Sequence, residues 1–586
     1  MSLTEQLREQ ILSQNPTDQQ RDAIFADELE FLLRAAPGSG KTWTSCRRFI
    51  WRGANWHDKA GGLALLSFTN TAIQEFHEAT MKVGRRDLLS NPNYVGTFDS
   101  FVERFIITPF GHLGNGVIKR PKLFLAPRPG DRKNKKLQGW TETNAGRKFA
   151  VPAWEILPFL SDDGKVKFKA SKGFGGKTLD FKWRNPIFEF FKLGFYTHGQ
   201  RVYLACRILL QRPHIAGCLA RRFPEIIVDE AQDTNVWLLV LLNLLRKNGT
   251  KVTLVGDPDQ CIYEFSMADA TFLPSLKEQW KIPEKPLSRS FRCNDDIAHA
   301  VRNIVGNTTF EGCGLKRNDY CKPVIVREPN KSFSRSISEF DRLLKRAAIP
   351  MDESVVLCRA HQQLEMIRGE VNYNDLQGVT KELALASFFR DARGDYQKAV
   401  QLVKNAIRQI VDEPEFWDAL DDDPESEDSM RIELTIWKFA KSREGLPAVE
   451  TNGTDWVDQL KANLSGVLKE LKIKNLPKLG QKIRRTGLNR AQLALPLFRQ
   501  QTLFPPVRHD TIHQVKGESI DGVLLLGSTK FFNSVVNAID AGQNTEERRL
   551  AYVAMTRARH ALLVGLPASH FDNHAKKWIN WGFTAI

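Results

Sequence analysis

The residues with the clearest chemistry lie in one short stretch, residues 35–42, with the sequence AAPGSGKT. An apolar run, residues 31–33, precedes it, and a segment suited to a helix follows. A strand, a glycine-rich loop and a helix N-terminus together form a cradle of backbone N–H groups that binds phosphate. In such a loop Lys41 can reach the β- and γ-phosphates, and the Thr42 hydroxyl can hold Mg²⁺. The predicted phosphate-binding residues are Ala36, Pro37, Gly38, Ser39, Gly40, Lys41 and Thr42.

Two carboxylates follow another apolar run and supply the second half of this chemistry. The sequence EIIV at residues 225–228 leads directly into Asp229 and Glu230. Asp229 can hold Mg²⁺ and its waters, and Glu230 can orient and deprotonate an attacking water. An acidic turn after a strand is common, so the pair gains its meaning from the phosphate loop upstream. Together the two stretches predict a site that hydrolyses phosphate bonds.

Further side chains have both a chemical and a structural interpretation. Gln20 lies fifteen residues before Ala35, and its amide matches the edge of adenine, but with Thr17 it also completes a helix capping box. Gln260 follows an apolar run, residues 252–255, and is placed to sense a γ-phosphate. Three aromatic residues near strand ends could stack on nucleobases or pack in the core: Phe68, Tyr263 and Phe265.

Composition favours a multidomain protein that acts on nucleic acid. The chain has 586 residues, of which 42% are hydrophobic and 26% charged, and a net charge of +16. Residues 119–184 hold 17 Lys/Arg against 6 Asp/Glu, interleaved with aromatic residues. This charge predicts a nucleic-acid partner, although a generally basic surface is the alternative. The eight cysteines are scattered without a CxxC pair. We therefore expect a cytoplasmic protein with reduced thiols, no structural metal and no membrane association.

The elements that must position these residues alternate between strand and helix. Apolar runs predict buried strands in both halves of the chain. In the first half they lie at residues 63–68, 223–228 and 252–255, and in the second half at 354–358, 511–513, 522–526 and 561–564. The pattern predicts two parallel α/β cores, each interrupted by an insertion.

Taken in order, the motifs resemble those of superfamily 1 helicases of the UvrD/Rep/PcrA type. The resemblance covers residues 20–565 and includes AAPGSGKT, LLSFTNTA, VGTFDSF, IIVDEAQD, LVGDPDQCIYEF, SFRCN, TIHQVKG and ERRLAYVAMTRAR. It implies an α/β fold with two RecA-like parallel-sheet motor domains of the P-loop NTPase class, each with a mainly helical insertion. The expected limits are 1–105 and 216–286 for the first motor domain, with a basic accessory insertion at 106–215. The second motor domain takes 287–370 and 505–586, with an insertion at 371–504.

The same resemblance implies that ATP and Mg²⁺ bind between the two motor domains. Gln20 would read adenine and Phe291 stack on it, while Gln260, Arg292 and Arg557 would touch the γ-phosphate. The two arginines come from the second domain and would act as arginine fingers; the alternative for each is a salt bridge. Expected nucleic-acid contacts are Phe68, Tyr263, Phe265 and His513. Several positions depart from the family pattern: Trp43, Asp99, Ser266, Glu518 and Ser519.

The activity implied is ATP-driven 3′→5′ movement on single-stranded or tailed DNA with duplex separation. A second hypothesis keeps the ATPase but makes the chain a DNA-sensing subunit that activates a separate nuclease, as the UvrD-like subunit of Gabija-type phage defence does. A third is a non-catalytic nucleic-acid-binding protein, against which the intact Lys41, Asp229, Glu230, Arg292 and Arg557 argue.

Overall fold

The structure is a computed structural model, and it describes most of the chain. The described residues are 3–56, 60–115, 120–124, 135–142, 148–161, 163–171, 176–179, 185–262, 272–305, 310–314, 322–329, 333–359, 378–411, 413, 416–417, 426–473, 476–483 and 507–586. By compactness the chain divides into two units. One is Ala360–Pro505 with the short segment Arg128–Gly130, and the other holds the remainder. The expected domain limits stay a prediction.

The described strands are short, and most of them belong to two large sheets. In chain order they are β1 (Leu32–Ala35), β2 (Leu63–Ser67), β3 (Tyr94–Thr97), β4 (Lys122–Leu123), β5 (Gln138–Glu142), β6 (Lys148–Pro152), β7 (Ile156–Leu160), β8 (Val166–Ala170), β9 (Thr178–Leu179), β10 (Phe195–Tyr196), β11 (Glu225–Val228), β12 (Lys251–Gly256), β13 (Glu284–Leu287), β14 (Val324–Glu328), β15 (Ser354–Cys358), β16 (Arg508–Thr511), β17 (Ile520–Leu526), β18 (Ala558–Pro567) and β19 (Thr584–Ala585).

The described helices connect these strands and build the second unit. In chain order they are α1 (Leu3–Leu12), α2 (Asp18–Phe25), α3 (Lys41–Ala54), α4 (Asn70–Lys82), α5 (Phe98–Val102), α6 (Thr108–Asn115), α7 (Pro186–Lys192), α8 (His198–Gln211), α9 (Pro213–Arg222), α10 (Val236–Lys247), α11 (Phe272–Trp280), α12 (Asp295–Val305), α13 (Ser334–Ala347), α14 (Gly378–Arg393), α15 (Tyr396–Ile410), α16 (Glu427–Lys441), α17 (Gly453–Glu470), α18 (Leu479–Lys482), α19 (Thr529–Asp540), α20 (Glu546–Met555) and α21 (Ala568–Asn580).

The two large sheets are both six-stranded and parallel. The first has the order β13-β1-β12-β11-β2-β3, and the second β16-β15-β17-β18-β14-β19. Their central strands are buried along their length, as in LALLS of β2 and SVVLC of β15. Continuous apolar runs of this kind suit parallel strands covered on both faces. The predicted fold class, two parallel α/β cores of the RecA-like kind, is confirmed.

One expected strand is displaced. A strand was expected at residues 511–513, but β16 ends at Thr511. The Thr511 N–H and hydroxyl both bind the side-chain oxygen of Gln514, at 2.9 Å each, which closes a turn. Ile512 is buried beyond the strand end, and His513 lies in the turn.

The first insertion contains antiparallel strands as well as helices, a component that the expectation of a mainly helical insertion did not include. β5 pairs with β6, and β7, β8 and β9 form a three-stranded sheet. The inner face of that sheet packs Ile156, Ala170 and Leu179 into the core shared with the first large sheet. Helices α7 and α8 cover the same core through Phe190 and Leu204.

The second unit is helical in its described part. Its core is built around Trp456 of α17, which is fully buried among leucine, isoleucine and alanine side chains of α14 to α17. Arg390 of α14 is held by a neighbouring carboxylate, Asp391, and by backbone carbonyls at residues 440–447. Across the described residues of the whole chain, no helix combines the length and apolar character that a membrane span requires.

Candidate active site

The phosphate loop connects β1 to α3 in the conformation that its glycines allow. Gly38 and Gly40 both have positive φ, +70° and +78°. A Cβ on Gly38 would lie 2.6 Å from the Cβ of Arg292, so a side chain there would displace the segment that faces the loop. The Phe291 N–H donates to the Gly38 carbonyl at 2.8 Å. The loop is therefore closed on one side by residues that follow the first sheet's last strand.

Polar groups in this loop fit a bound phosphate and a divalent cation. The Ser39 hydroxyl is buried and has no hydrogen-bond partner among the described residues. Lys41 and Thr42 begin α3, where backbone N–H groups point out of the helix. The Thr42 hydroxyl lies 3.1 Å from the Asp229 carboxylate, which also accepts from Ser45 at 3.3 Å. A hydroxyl next to a carboxylate is an oxygen donor set of the kind that Mg²⁺ takes.

Asp229 and Glu230 have opposite electrostatic environments although they are adjacent. Asp229 is fully buried after β11, and burial together with the charge of Glu230 raises its pKa. Burial also acts to raise the pKa of Glu230, but the charges of Lys41 and Lys516 outweigh it and hold that pKa below its usual range. Glu230 is therefore ionised at neutral pH. Its Oε2 lies 3.6 Å from the Lys41 ammonium.

Glu230 also has an unusual backbone. Its φ of +55° places a non-glycine residue in the left-handed region, a conformation found at functional sites more often than elsewhere. The strained turn sends the carboxylate towards Lys41, whereas the Asp229 side chain points at Thr42 and Ser45. The two carboxylates thus separate into a group that faces the Lys41 ammonium and a group that faces the Thr42 and Ser45 hydroxyls.

Gln260 lies between Asp257, which follows β12 of the first sheet, and Arg557, which precedes β18 of the second. Its amide N–H donates to Asp257 at 2.7 Å, and its carbonyl oxygen accepts from the Arg557 guanidinium at 3.1 Å. The opposite amide orientation would set the carbonyl against a carboxylate and the NH₂ against a guanidinium. The amide of Gln260 is therefore oriented by one charged group from each sheet.

The two arginines predicted to touch the γ-phosphate differ in exposure. Arg557 follows α20 and is fully buried; apart from Gln260 it donates to the Val553 carbonyl at 3.0 Å. Burial, and then the nearby charge of Arg292, lowers its pKa to about 9, so it remains a cation at neutral pH. Arg292 is half-buried. Its guanidinium donates to the Ser519 hydroxyl at 2.7 Å and to the Gly517 carbonyl at 3.3 Å.

The two residues predicted for adenine both contact the phosphate loop. Gln20 completes a capping box with Thr17, and its amide also donates to the Ser39 carbonyl at 3.1 Å. One donor and one acceptor of the amide remain for a base. Phe291 is 48% exposed, so one ring face is accessible for stacking. Trp43 is covered by Arg47, whose guanidinium carbon lies 4.2 Å from the ring centre.

The structure also shows cross-sheet contacts that sequence reasoning missed. The Tyr552 hydroxyl donates to Asp257 at 3.2 Å, and the Lys516 ammonium binds both oxygens of Asp233 at 2.7 Å. Gln232 donates to Glu230 and accepts from the Asp257 N–H at 3.1 Å. All of these residues lie within the motifs quoted above. Their membership of those motifs is the sequence feature that could have marked them as site residues. Ser45, one turn after Lys41, could have been found from helical spacing.

The residues predicted for nucleic-acid contact are only partly brought together. Phe68 is half-buried and its ring lies 5.0 Å from that of Phe98, so it packs on the core while keeping some exposure. His513 lies 3.2 Å from the Ile262 carbonyl, and burial lowers its pKa, so the ring is neutral at pH 7. Tyr263 and Phe265 lie outside the described residues.

Comparison with known proteins finds two family domains in the chain. The model of the UvrD/REP helicase N-terminal domain matches residues 16–148 and 190–281. The model of the UvrD-like helicase C-terminal domain matches residues 396–568. DNA helicase II of Escherichia coli (strain K12) is 22% identical over a 620-residue alignment that covers 93% of this chain and 83% of the relative.

A second relative matches a smaller part. The ATP-dependent DNA helicase PcrA of Bacillus subtilis (strain 168) is 23% identical over a 303-residue alignment that covers 50% of this chain and 39% of the relative. The motif order, the two parallel sheets and these matches lead to one conclusion: the chain belongs to the UvrD/Rep/PcrA-like family of superfamily 1 helicases.

Proposed function

We propose that this chain is an ATP-dependent DNA helicase that moves 3′→5′ on single-stranded DNA. The observation that carries the proposal is the meeting of two sheets at one site. Arg557, directly before β18 of the second sheet, binds Gln260, which follows β12 of the first, at 3.1 Å. Arg292, which lies beside Gly38 of the phosphate loop, donates to Ser519, directly before β17 of the second sheet. A hydrolysis site made by two halves couples nucleotide state to their separation.

The residues divide the chemistry among them. Ser39 and the α3 N-terminus bind phosphate oxygens, and Lys41 neutralises them. Thr42 and Asp229 hold Mg²⁺, which supplies charge neutralisation at the phosphates when bound. Glu230, kept ionised by the cations around it, orients the attacking water and accepts its proton. Gln260 fixes the position of that water or of the γ-phosphate through its oriented amide.

Arg292 and Arg557 complete the site. Both are cations near the phosphate loop, and charge that develops in phosphoryl transfer is stabilised by such guanidinium groups. Arg292 hydrogen-bonds to Ser519 and Gly517, which precede β17 of the second sheet, so it can reach a phosphate only by exchanging those contacts. This exchange links ATP binding to the segment at residues 516–519, whose first residue, Lys516, binds Asp233.

The test combines ATP turnover with strand separation. We expect turnover that single-stranded DNA stimulates, and separation of a duplex with a 3′ tail in preference to one with a 5′ tail. Lys41→Ala is the inactive control and abolishes both. Preference for the 5′ tail would overturn the polarity. Stimulated turnover without separation of either substrate would overturn the helicase assignment and favour the DNA-sensing ATPase.

A further inference from the structure

The outer face of the three-stranded sheet in the first insertion is basic and partly aromatic. Strand register places Phe159 of β7 opposite Lys167 of β8, and Lys169 opposite Leu157 and next to Thr178. Because side chains alternate along a strand, Phe159, Lys167 and Lys169 share the face opposite the buried Ile156 and Ala170. Leu157 shares this face but is half-buried and lies against Gly199 of α8, and we name the remainder, formed by Phe159, Lys167, Lys169 and Thr178, the lysine face.

Two lysines supply the charge of this face. The sequence of residues 156–179 contains five lysines and two aspartates, and of these Lys167 and Lys169 lie on the face. Lys167 and Lys169 are two residues apart on one strand, so their Cα atoms are about 7 Å apart. Lys167 is exposed, and the Lys169 ammonium lies 5.5 Å from the ring centre of Phe159. A row of ammonium groups beside an aromatic ring suits a polyanion that also carries flat rings.

Trp140 adds a second aromatic group next to this sheet. It lies on β5, which packs beside β9, and it is 59% exposed, the largest exposure of any aromatic side chain in the described part of the chain. Its cross-strand neighbour is Ala150, whose methyl group can cover little of an indole ring. Lys135 and Lys136, both exposed, immediately precede the strand. An exposed tryptophan flanked by lysines has the composition of a base-stacking platform.

We propose that the lysine face and Trp140 form a binding surface for single-stranded nucleic acid. This surface is distinct from the ATP site between the two large sheets. The lysines complement the phosphate backbone, and the aromatic rings stack on bases. In a duplex the base faces are already stacked on one another, so a duplex would use the lysines but not Trp140. The proposal goes beyond the motor function, because it concerns binding that needs no ATP.

The test measures, in the absence of ATP, how tightly the full chain binds a fluorescent oligothymidylate about 20 nucleotides long. Lys167→Glu/Lys169→Glu is expected to weaken binding at least tenfold. It should also lower the slope of log affinity against log salt concentration by about 1.4, since each single-strand phosphate contact contributes about 0.7. The matched control is Lys530→Glu/Lys576→Glu, which changes the charge equally on exposed positions of α19 and α21 and should leave the affinity within about twofold.

A second variant distinguishes the single strand from the duplex. Trp140→Ala is expected to weaken oligothymidylate binding at least about fivefold, the loss of one base stack. Binding of a blunt duplex of equal length should be unchanged. Trp437→Ala, which removes a 42% exposed tryptophan from α16, is the aromatic control.

Two results would overturn the proposal. One is an unchanged affinity for the single strand in both the lysine and the Trp140 variants. The other is an equal loss of single-strand and duplex binding in the Trp140 variant. ATP turnover without DNA should stay at the wild-type level in every variant. If the proposed motor function is wrong, the ATP turnover and strand-separation test will fail while this binding test can still succeed. The two failures are therefore distinguishable.

Discussion

Replacing Tyr552 by Phe removes a single hydroxyl group from the boundary between the two large sheets. Tyr552 is fully buried, and burial together with the charge of Asp257 raises its pKa well above the usual range. The hydroxyl is therefore protonated and donates to Asp257, which in turn orients the amide of Gln260. A hydrogen bond to a charged group contributes about 1.5–3 kcal/mol. A loss of about 1.5 kcal/mol from the assembled site corresponds to about tenfold in kcat.

The assay is steady-state ATP turnover at saturating single-stranded DNA. We expect Tyr552→Phe to lower kcat about tenfold and to change KM for ATP less than about threefold, since Tyr552 does not contact the phosphate loop. Tyr196→Phe is the matched control, because its hydroxyl donates to the Glu103 carboxylate at 2.6 Å in the first insertion. Both variants should lose similar unfolding free energy. Equal kcat in the two variants would refute the idea that Tyr552 positions Gln260.

Further predictions concern the site and its support. Glu230→Gln should lower single-turnover hydrolysis at least about 10²-fold while a fluorescent ATP analogue still binds, whereas Lys41→Ala should weaken both. Lys516→Met should cost about 3 kcal/mol in urea unfolding by leaving Asp233 buried alone, and adding Asp233→Asn should recover part of it. Burial lowers the pKa of His570 to about 4, so stability present above pH 6.5 is lost as the pH falls towards 4. From about pH 8 to 5.5 this loss is about 1.4 kcal/mol, and His570→Gln should remove it from the pH dependence of urea unfolding.

Sequence motifs predicted the phosphate loop well because its chemistry depends on local spacing. Gly38, Gly40, Lys41 and Thr42 act through one loop and one helix N-terminus, and the structure builds that loop between β1 and α3. The buried strands were similarly legible, since residues such as those of β2 and β15 form continuous apolar runs. The edge strands β13 and β19 were not, because they carry mixed or exposed residues without a clear period.

Contacts between distant motifs could not be read from the sequence. The pairs Tyr552–Asp257 and Lys516–Asp233 join residues about 300 positions apart, and no local pattern specifies which tyrosine or lysine meets which carboxylate. The β-sheet of the first insertion was missed for another reason. VKFKA at residues 166–170 does alternate, but its outward positions are lysines and its run is short.

The central claim is that one hydrolysis site is assembled from both sheets, and Arg557 tests it most directly. It lies in the second sheet's half of the site, and its removal leaves the phosphate loop, Asp229 and Glu230 intact. The decisive measurement is ATP turnover by Arg557→Ala and by wild type at saturating single-stranded DNA, with ATP binding measured in parallel. The account predicts a loss of about 10³-fold or more in turnover with binding retained. Turnover within about tenfold of wild type would contradict it.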